Sequence, residues 1–114
     1  MEINTSEYNG AKVIAVGEDR IDAAIAVLFK DRINELTSGS KGRVIIDLSQ
    51  VDFVDSSGLG AVVGAMKQLG RGRRMDLVGL SPSVEKVFRM TRMDSVFRIF
   101  KNLDEATQET VDAS

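Results

Sequence analysis

The 114-residue sequence contains no cysteine and no histidine, and this double absence removes several classes of function. Without thiols and imidazoles the chain lacks disulfides, thiol chemistry, most zinc sites and the base of a Ser-His-Asp triad. A P-loop is also missing, because Lys67 does not follow a glycine in the required pattern. The sequence therefore predicts a protein that is not an enzyme and that uses no metal or cofactor.

An excess of charge of one sign and long apolar runs are missing as well. Fifteen Lys and Arg oppose 17 Asp and Glu, and a net charge of −2 attracts neither nucleic acid nor an anionic membrane. No apolar run approaches the roughly 20 residues that span a bilayer, and the start, MEINTSEYNG, is too polar for a signal peptide. We expect a cytoplasmic protein with one domain, residues 1–114.

What the sequence does contain is an alternation of strand and helix patterns. MEINTSEYNGAKVIAVG alternates between apolar and polar residues on both sides of Asn9-Gly10, a dipeptide typical of two-residue hairpin turns. From Asp22 onward, apolar residues recur at helical spacing until TSGSKG ends the segment. RVIIDL then has the continuous apolar character of a strand that is covered on both faces.

The second half of the sequence repeats this alternation. A second helix precedes the strand MDLVGL, Ser81 and Pro82 begin a third helix, SVFRIF suits a last strand, and residues 103–111 suit a last helix. The apolar stripes of the first two helices are Ile25, Leu28, Phe29, Ile33 and Leu36, and Leu59, Val62, Val63, Met66 and Leu69. The order β-β-α-β-α-β-α-β-α predicts an α/β fold, with an N-terminal β-hairpin, a mixed sheet and parallel later strands.

The loop VDFVDSSGLG, between the strand RVIIDL and the second helix, is the strongest candidate for a functional site. If Ser56 is the N-cap, its hydroxyl accepts from the amide of Gly58 or Leu59, and the positive end of the helix favours an anion nearby. A phosphoryl group on Ser56 would add about −1.5 to −2 charges and change the sign of this surface. The alternative is that Asp-Ser-Ser is only a good cap; Ser56 and Ser57 both suit that role.

Small residues in the second helix also recur at intervals of three and four. Gly60, Ala61, Gly64 and Ala65 predict a smooth face that another protein's helix could approach closely. The alternative is close packing against the first helix of the same chain.

Two long segments resemble the STAS domain of the bacterial anti-sigma factor antagonists: VIIDLSQVDFVDSSGLGAVVGAMKQL and MDLVGLSPSVEKVFRMTRMDSVFRIF. The resemblance implies a partner-switching phosphoprotein that regulates transcription, as in stress responses. Its unphosphorylated form would bind an anti-sigma factor that is also a serine kinase, and so free the sigma factor. Phosphorylation of Ser56, the first serine after the aspartate, would end binding, and a serine phosphatase of the PPM class would restore it.

The same resemblance places an aspartate between the second strand and the first helix, close to the phosphorylation loop. Asp19 and Asp22 both suit this place, and we favour Asp22, which can also cap the helix. Asp55 either orients the hydroxyl of Ser56, meets a basic group of the kinase, or is a solvated turn residue. The predicted partner-binding residues are Asp22, Asp55, Ser57, Gly58, Leu59, Gly60 and Gly64.

Two other functions compete with this prediction. One is a constitutive STAS scaffold, or an accessory subunit of a signalling or transport complex, in which Ser56 is never modified. The other is a hydrolase with Ser56 as nucleophile, which would need Lys41 or Lys67 within hydrogen-bond reach as the base. A weak homodimer through the hairpin edge or the second helix is a further possibility.

Overall fold

The computed structural model describes residues 1–70 and 72–112, which form one five-stranded sheet, a second sheet of two short strands, and helices. The strands are Ile3–Tyr8 (β1), Ala11–Val16 (β2), Arg20–Ile21 (β3), Val44–Asp47 (β4), Phe53–Val54 (β5), Met75–Val78 (β6) and Arg98–Phe100 (β7). The α-helices are Ala26–Thr37 (α1), Ser56–Gln68 (α2), Pro82–Met90 (α3) and Leu103–Asp112 (α4).

The main sheet has the strand order β1-β2-β4-β6-β7, and it confirms the predicted hairpin followed by parallel strands. β1 pairs antiparallel with β2, and the later neighbours all pair in parallel. Asn9 and Gly10 have φ values of 49° and 84°, as a two-residue hairpin turn of the preferred type requires. The small parallel sheet of β3 and β5 was not predicted, because two-residue strands leave no periodicity in a sequence.

The helices cover the two faces of the sheet unequally. Ile14, Ile46 and Leu77 belong to the larger core, which includes buried residues of α1, α2 and α3. Val13 and Ile45 alternate with these along the strands and pack with Ala106 of α4 on the opposite face. The parallel strands are therefore covered on both sides. In the described ranges, 1–70 and 72–112, no helix combines the length and the apolar character needed to cross a membrane.

Two predicted boundaries and one predicted core residue need correction. α1 begins at Ala26 rather than near Asp22, because the carbonyl of Asp22 accepts from the amides of Ile25 and Ala26 and so forms a turn first. Leu28 lies outside the buried stripe of α1, with 53% of its surface exposed. The last strand is shorter than SVFRIF, since Met93–Ser95 forms a turn of 3-10 helix before β7 begins.

The third helix begins as predicted. Ser81 is its N-cap, with the side-chain oxygen accepting from the amide of Val84 at 3.4 Å, and Pro82 occupies the first helical position. A proline is tolerated there because the amide that it lacks would have had no partner within the helix.

A buried carboxylate joins the sheet to α4. The side chain of Asp76, only 1% exposed, accepts from Nε of Arg43 at 2.7 Å and from Nε of Arg74 at 3.0 Å. The guanidinium of Arg43 also donates to the carbonyl of Ala106 in α4, at 3.0 Å. Because buried charges are tolerated only when they are paired, this network is part of the fold rather than of an exposed site.

Candidate phosphorylation and partner-binding site

The N-terminus of α2 is capped by Asp55, and neither Ser56 nor Ser57, the two caps that the sequence leaves open, occupies the N-cap position. Asp55 has the extended backbone of a cap residue, and its Oδ1 accepts from the amide of Gly58 at 2.8 Å. Its other oxygen, Oδ2, accepts from the amide of Ala23 at 3.2 Å, in the turn that precedes α1. A single carboxylate thus fixes the start of α2 against a neighbouring turn.

Ser56 and Ser57 are therefore released from any capping role. Both are exposed, and within the described part of the chain neither hydroxyl has a hydrogen-bond partner. Ser56 is the first residue of α2, where the backbone amides of the first turn give the helix end a partial positive charge. An anion on this side chain would lie in a favourable field, and the hydroxyl is accessible to a modifying enzyme.

Gly58 brings α2 into close contact with β3. A Cβ atom at this position would lie 1.8 Å from the carbonyl oxygen of Ile21, a distance that no side chain can adopt. The same carbonyl accepts from the amide of Asp55 at 3.4 Å. This glycine is therefore needed for close approach between two backbones, which explains why it stands at a buried position in the first turn of the helix.

Asp22 lies in the turn that contacts the start of α2, but it does not cap α1 as predicted. The N-cap position of α1 belongs to Ile25, whose side chain cannot accept a hydrogen bond. The carboxylate of Asp22 instead accepts from the amide of Ala24 at 3.1 Å and from Arg20 at 3.3 Å. The guanidinium of Arg20 in turn lies 4.3 Å from the centre of the exposed ring of Phe53.

The small residues of α2 mostly pack within the chain, which corrects the prediction of a smooth exposed face. Ala61 and Ala65 are buried, and Gly64 is covered by the side chain of Lys30 in α1. Gly60 differs from these three residues, because a Cβ atom added there would meet no other atom. The alternative, close packing of α2 against α1, is therefore correct for Gly64, and Lys30 is a component of the site that the small-residue pattern did not reveal.

Leu59 and the rest of the apolar stripe on α2 have the predicted internal role. Val62 is fully buried and Leu69 is nearly so, while Leu59, Val63 and Met66 pack against the same core with part of their surface exposed. Partner contact by Leu59 would therefore use only the part of its side chain that the core leaves open.

The geometry offers no support for a nucleophilic Ser56. In residues 1–70 and 72–112, neither Lys41 nor Lys67 donates a hydrogen bond to this hydroxyl or accepts one from it, so no base is in place. The same residues contain no group of three or more acidic side chains that could hold a metal ion.

Comparisons with known proteins agree with the resemblance in the sequence. Residues 2–106 match the STAS domain family. The anti-sigma-B factor antagonist of Listeria monocytogenes is 36% identical over 107 residues, which cover 91% of this chain and 90% of that protein.

Two solved structures share the fold. An anti-sigma-factor antagonist (STAS) domain protein from Planctomyces limnophilus has a TM-score of 0.85 at 21% identity, over 96% of this chain and 97% of that one. The phosphorylated form of SpoIIAA, a Bacillus cell fate determinant, has a TM-score of 0.66 at 23% identity, over 96% of this chain and 99% of that one.

Proposed function

Since the chain belongs to the STAS domain family, we propose that it is an anti-sigma factor antagonist whose binding is ended by phosphorylation of Ser56. The observation that supports this most directly is the free hydroxyl of Ser56 beside a helix end that Asp55 already caps. Because capping does not depend on the serine, a kinase could modify it without breaking the local structure. The proposed role is that of a binding protein rather than an enzyme.

The partners that we propose are those that membership of this family implies. In its unphosphorylated form the chain would bind an anti-sigma factor that is also a serine kinase, and the sigma factor would be released. A phosphatase of the PPM class would remove the phosphate and restore binding. The proposed contact surface is the turn at Asp22, the cap Asp55 and the first two turns of α2.

The physical basis of the switch is a change of charge. A phosphoryl group brings about −1.5 to −2 charges at neutral pH, and the amides of the first turn of α2 favour that charge. The fold should therefore be retained, while a partner surface matched to a neutral serine meets a dianion. Loss of binding would then come from repulsion and desolvation at the interface rather than from unfolding.

The test begins with affinity capture from the cytoplasm of the source bacterium, using the parent, Ser56→Ala and Ser56→Asp as baits of verified fold. We expect the parent and alanine baits to retain a serine kinase that the aspartate bait loses. That kinase, once purified, should transfer phosphate from ATP to the parent and to Ser57→Ala, and not to Ser56→Ala.

Two results would contradict the proposal. Equal retention of the same proteins by all three baits would make the chain a constitutive scaffold. Phosphate transfer that survives Ser56→Ala and is lost in Ser57→Ala would move the acceptor to the second serine.

A further inference from the structure

A shallow groove of about 210 Å³ lies between α1 and α2, next to the proposed acceptor. Its lining residues come from the first two turns of each helix: Ala26, Val27, Lys30, Ser57, Gly60 and Ala61. Its size suits one or two inserted side chains rather than a whole helix. Val27 is 70% exposed, and a Cβ at Gly60 would meet no atom, so the groove is open to a partner.

Lys30 is held in this groove by its aliphatic stem. A Cβ at Gly64 would lie 3.2 Å from Cδ, 3.4 Å from Cε and 3.7 Å from Nζ of Lys30, so the lysine stem would have to shift by a few tenths of an ångström to accept a side chain there. The stem therefore packs on the bare backbone of α2 at Gly64, and Lys30 is one of the residues that line the same groove as Ser57.

The ammonium of Lys30 has no hydrogen bond or ion pair within the described residues, although the side chain is half-buried. The residues three and four positions away on α1 are Val27, Ala26, Ile33 and Asn34, and none of them is acidic. By contrast, the carboxylates of Asp22, in the turn before α1, and of Asp55, the N-cap of α2, accept hydrogen bonds from backbone amides. The groove thus combines an unpaired cation with an apolar wall.

We propose that this groove binds a segment of the anti-sigma factor that places a carboxylate on Lys30 and an apolar side chain against Val27. The inference rests on the proposed function and names a contact of that interface on α1. A partner segment seated over this shallow groove would itself withdraw the ion pair partly from water, which strengthens it relative to a fully solvated one.

The position of the groove also connects this contact with the switch. Ser57 lines the groove and Ser56 is its neighbour, so a phosphoryl group on Ser56 would bring negative charge close to a partner carboxylate bound at Lys30. The phosphate would repel that carboxylate and would attract the ammonium that had paired with it. Placement of an acidic partner group at Lys30 therefore explains why modification of the adjacent residue would end binding.

The test measures the affinity of the purified kinase, identified by capture with the parent bait, for Lys30→Glu, Lys30→Met and the control Lys86→Glu. Lys86 is an exposed lysine of α3, away from the groove. We expect Lys30→Glu to raise Kd by at least about tenfold, Lys30→Met to raise it less, and Lys86→Glu to leave it within about twofold. Each variant is first shown to unfold in urea at the parental midpoint.

A charge-swap experiment identifies the partner group. Replacing the contacting Asp or Glu of the kinase by Lys should weaken binding to the parent and restore binding to Lys30→Glu. A scan of the kinase's surface carboxylates in which no replacement restores binding to Lys30→Glu would overturn the proposed ion pair.

The other outcomes separate this inference from the proposed function. If the parent and all three variants bind the kinase equally, the groove contact is overturned and the antagonist role stands. If the parent captures no anti-sigma factor, both are overturned. A change in self-association of Lys30→Glu during sedimentation, with unchanged kinase affinity, would assign the groove to a second copy of the chain and would also overturn the inference.

Discussion

Asp76 and Asp55 show two different uses of the same side chain in two regions of the molecule. Asp76 is buried and pairs with two arginines, and through Arg43 this network reaches the backbone of α4. Asp55 is partly exposed, and within the described part of the chain its side chain accepts from the backbone amides of Gly58 and Ala23 alone. The first region holds a helix on the sheet with charges. The second aligns two turns through backbone amides, and among the described residues the carboxylate of Asp55 has no ion pair that a charge added at Ser56 could disturb.

Removing the carboxylate of the buried network should have the largest effect on stability. Asp76→Ala leaves the largely buried guanidinium of Arg43 without the carboxylate that pairs with it. We expect a loss of roughly 3 to 5 kcal/mol in the free energy of unfolding. Urea unfolding followed by circular dichroism measures it. Asp94→Ala, which removes an exposed carboxylate, serves as the control and should change stability by no more than about 0.5 kcal/mol. Equal midpoints for the two variants would show that the network adds little to stability.

Substitution of Gly58, where two backbones approach closely, should have the next largest effect on stability. Gly58→Ala places a methyl group against the carbonyl of Ile21, and the backbone shift should lower stability by about 1 to 3 kcal/mol. The matched control is Gly60→Ala two residues along the same helix, where nothing opposes the methyl group. Since alanine favours a helix interior over glycine, this control should gain about 0.5 to 1 kcal/mol. Thermal or urea unfolding of the pair should give shifts of opposite sign.

Replacing the cap residue Asp55 should change stability less than the two changes above, but its comparison with Ser56→Ala is more informative. Asp55→Ala should lower stability by about 1 kcal/mol, because the amide of Gly58 loses its acceptor. Ser56→Ala should change stability by less than about 0.5 kcal/mol, since its hydroxyl has no internal partner in the described chain. Amide hydrogen exchange at Gly58 should accelerate in Asp55→Ala alone. Acceleration in Ser56→Ala as well would mean that the serine helps to cap the helix.

The weakest expected effect concerns Tyr8, whose hydroxyl donates to Asp104 at the start of α4. This hydrogen bond, together with the negative charge of Asp104, raises the pKa of Tyr8 above its usual value of 10.0. The folded state therefore holds the phenolic proton more tightly, and this contribution to stability is lost as the pH rises through the folded-state pKa.

The titration can be followed directly. Tyr8 is the only tyrosine and the chain has no tryptophan, so the ultraviolet absorbance of the phenolate reports on one residue. Asp104→Asn should move the midpoint back toward 10.0. An unchanged midpoint in this variant would mean that another cause raises the pKa.

The strand and helix order could be read from the sequence because it depends on local patterns. Asn9-Gly10 specifies a hairpin on its own, and Ser81-Pro82 specifies a helix start, so both predictions are confirmed. The sequence leaves the cap of α2 open between Ser56 and Ser57, and the structure gives it to Asp55, because adjacent polar residues are all competent caps and the backbone angles decide between them.

Features that depend on tertiary contact were harder to predict. The packing of Lys30 on Gly64 and the contact of Gly58 with Ile21 join residues that are far apart in the sequence, and no local pattern indicates either contact. The buried network had one readable signal, since a carboxylate in the apolar strand MDLV needs a cation. The sequence alone did not say that Arg43 and Arg74 supply it.

The separation of cap from acceptor also has an evolutionary consequence. Substitution of Asp55 or Gly58 would be opposed by selection for folding itself, whatever the protein binds. Ser56→Ala would leave folding almost unchanged, so that selection for folding alone would not preserve a serine at this position.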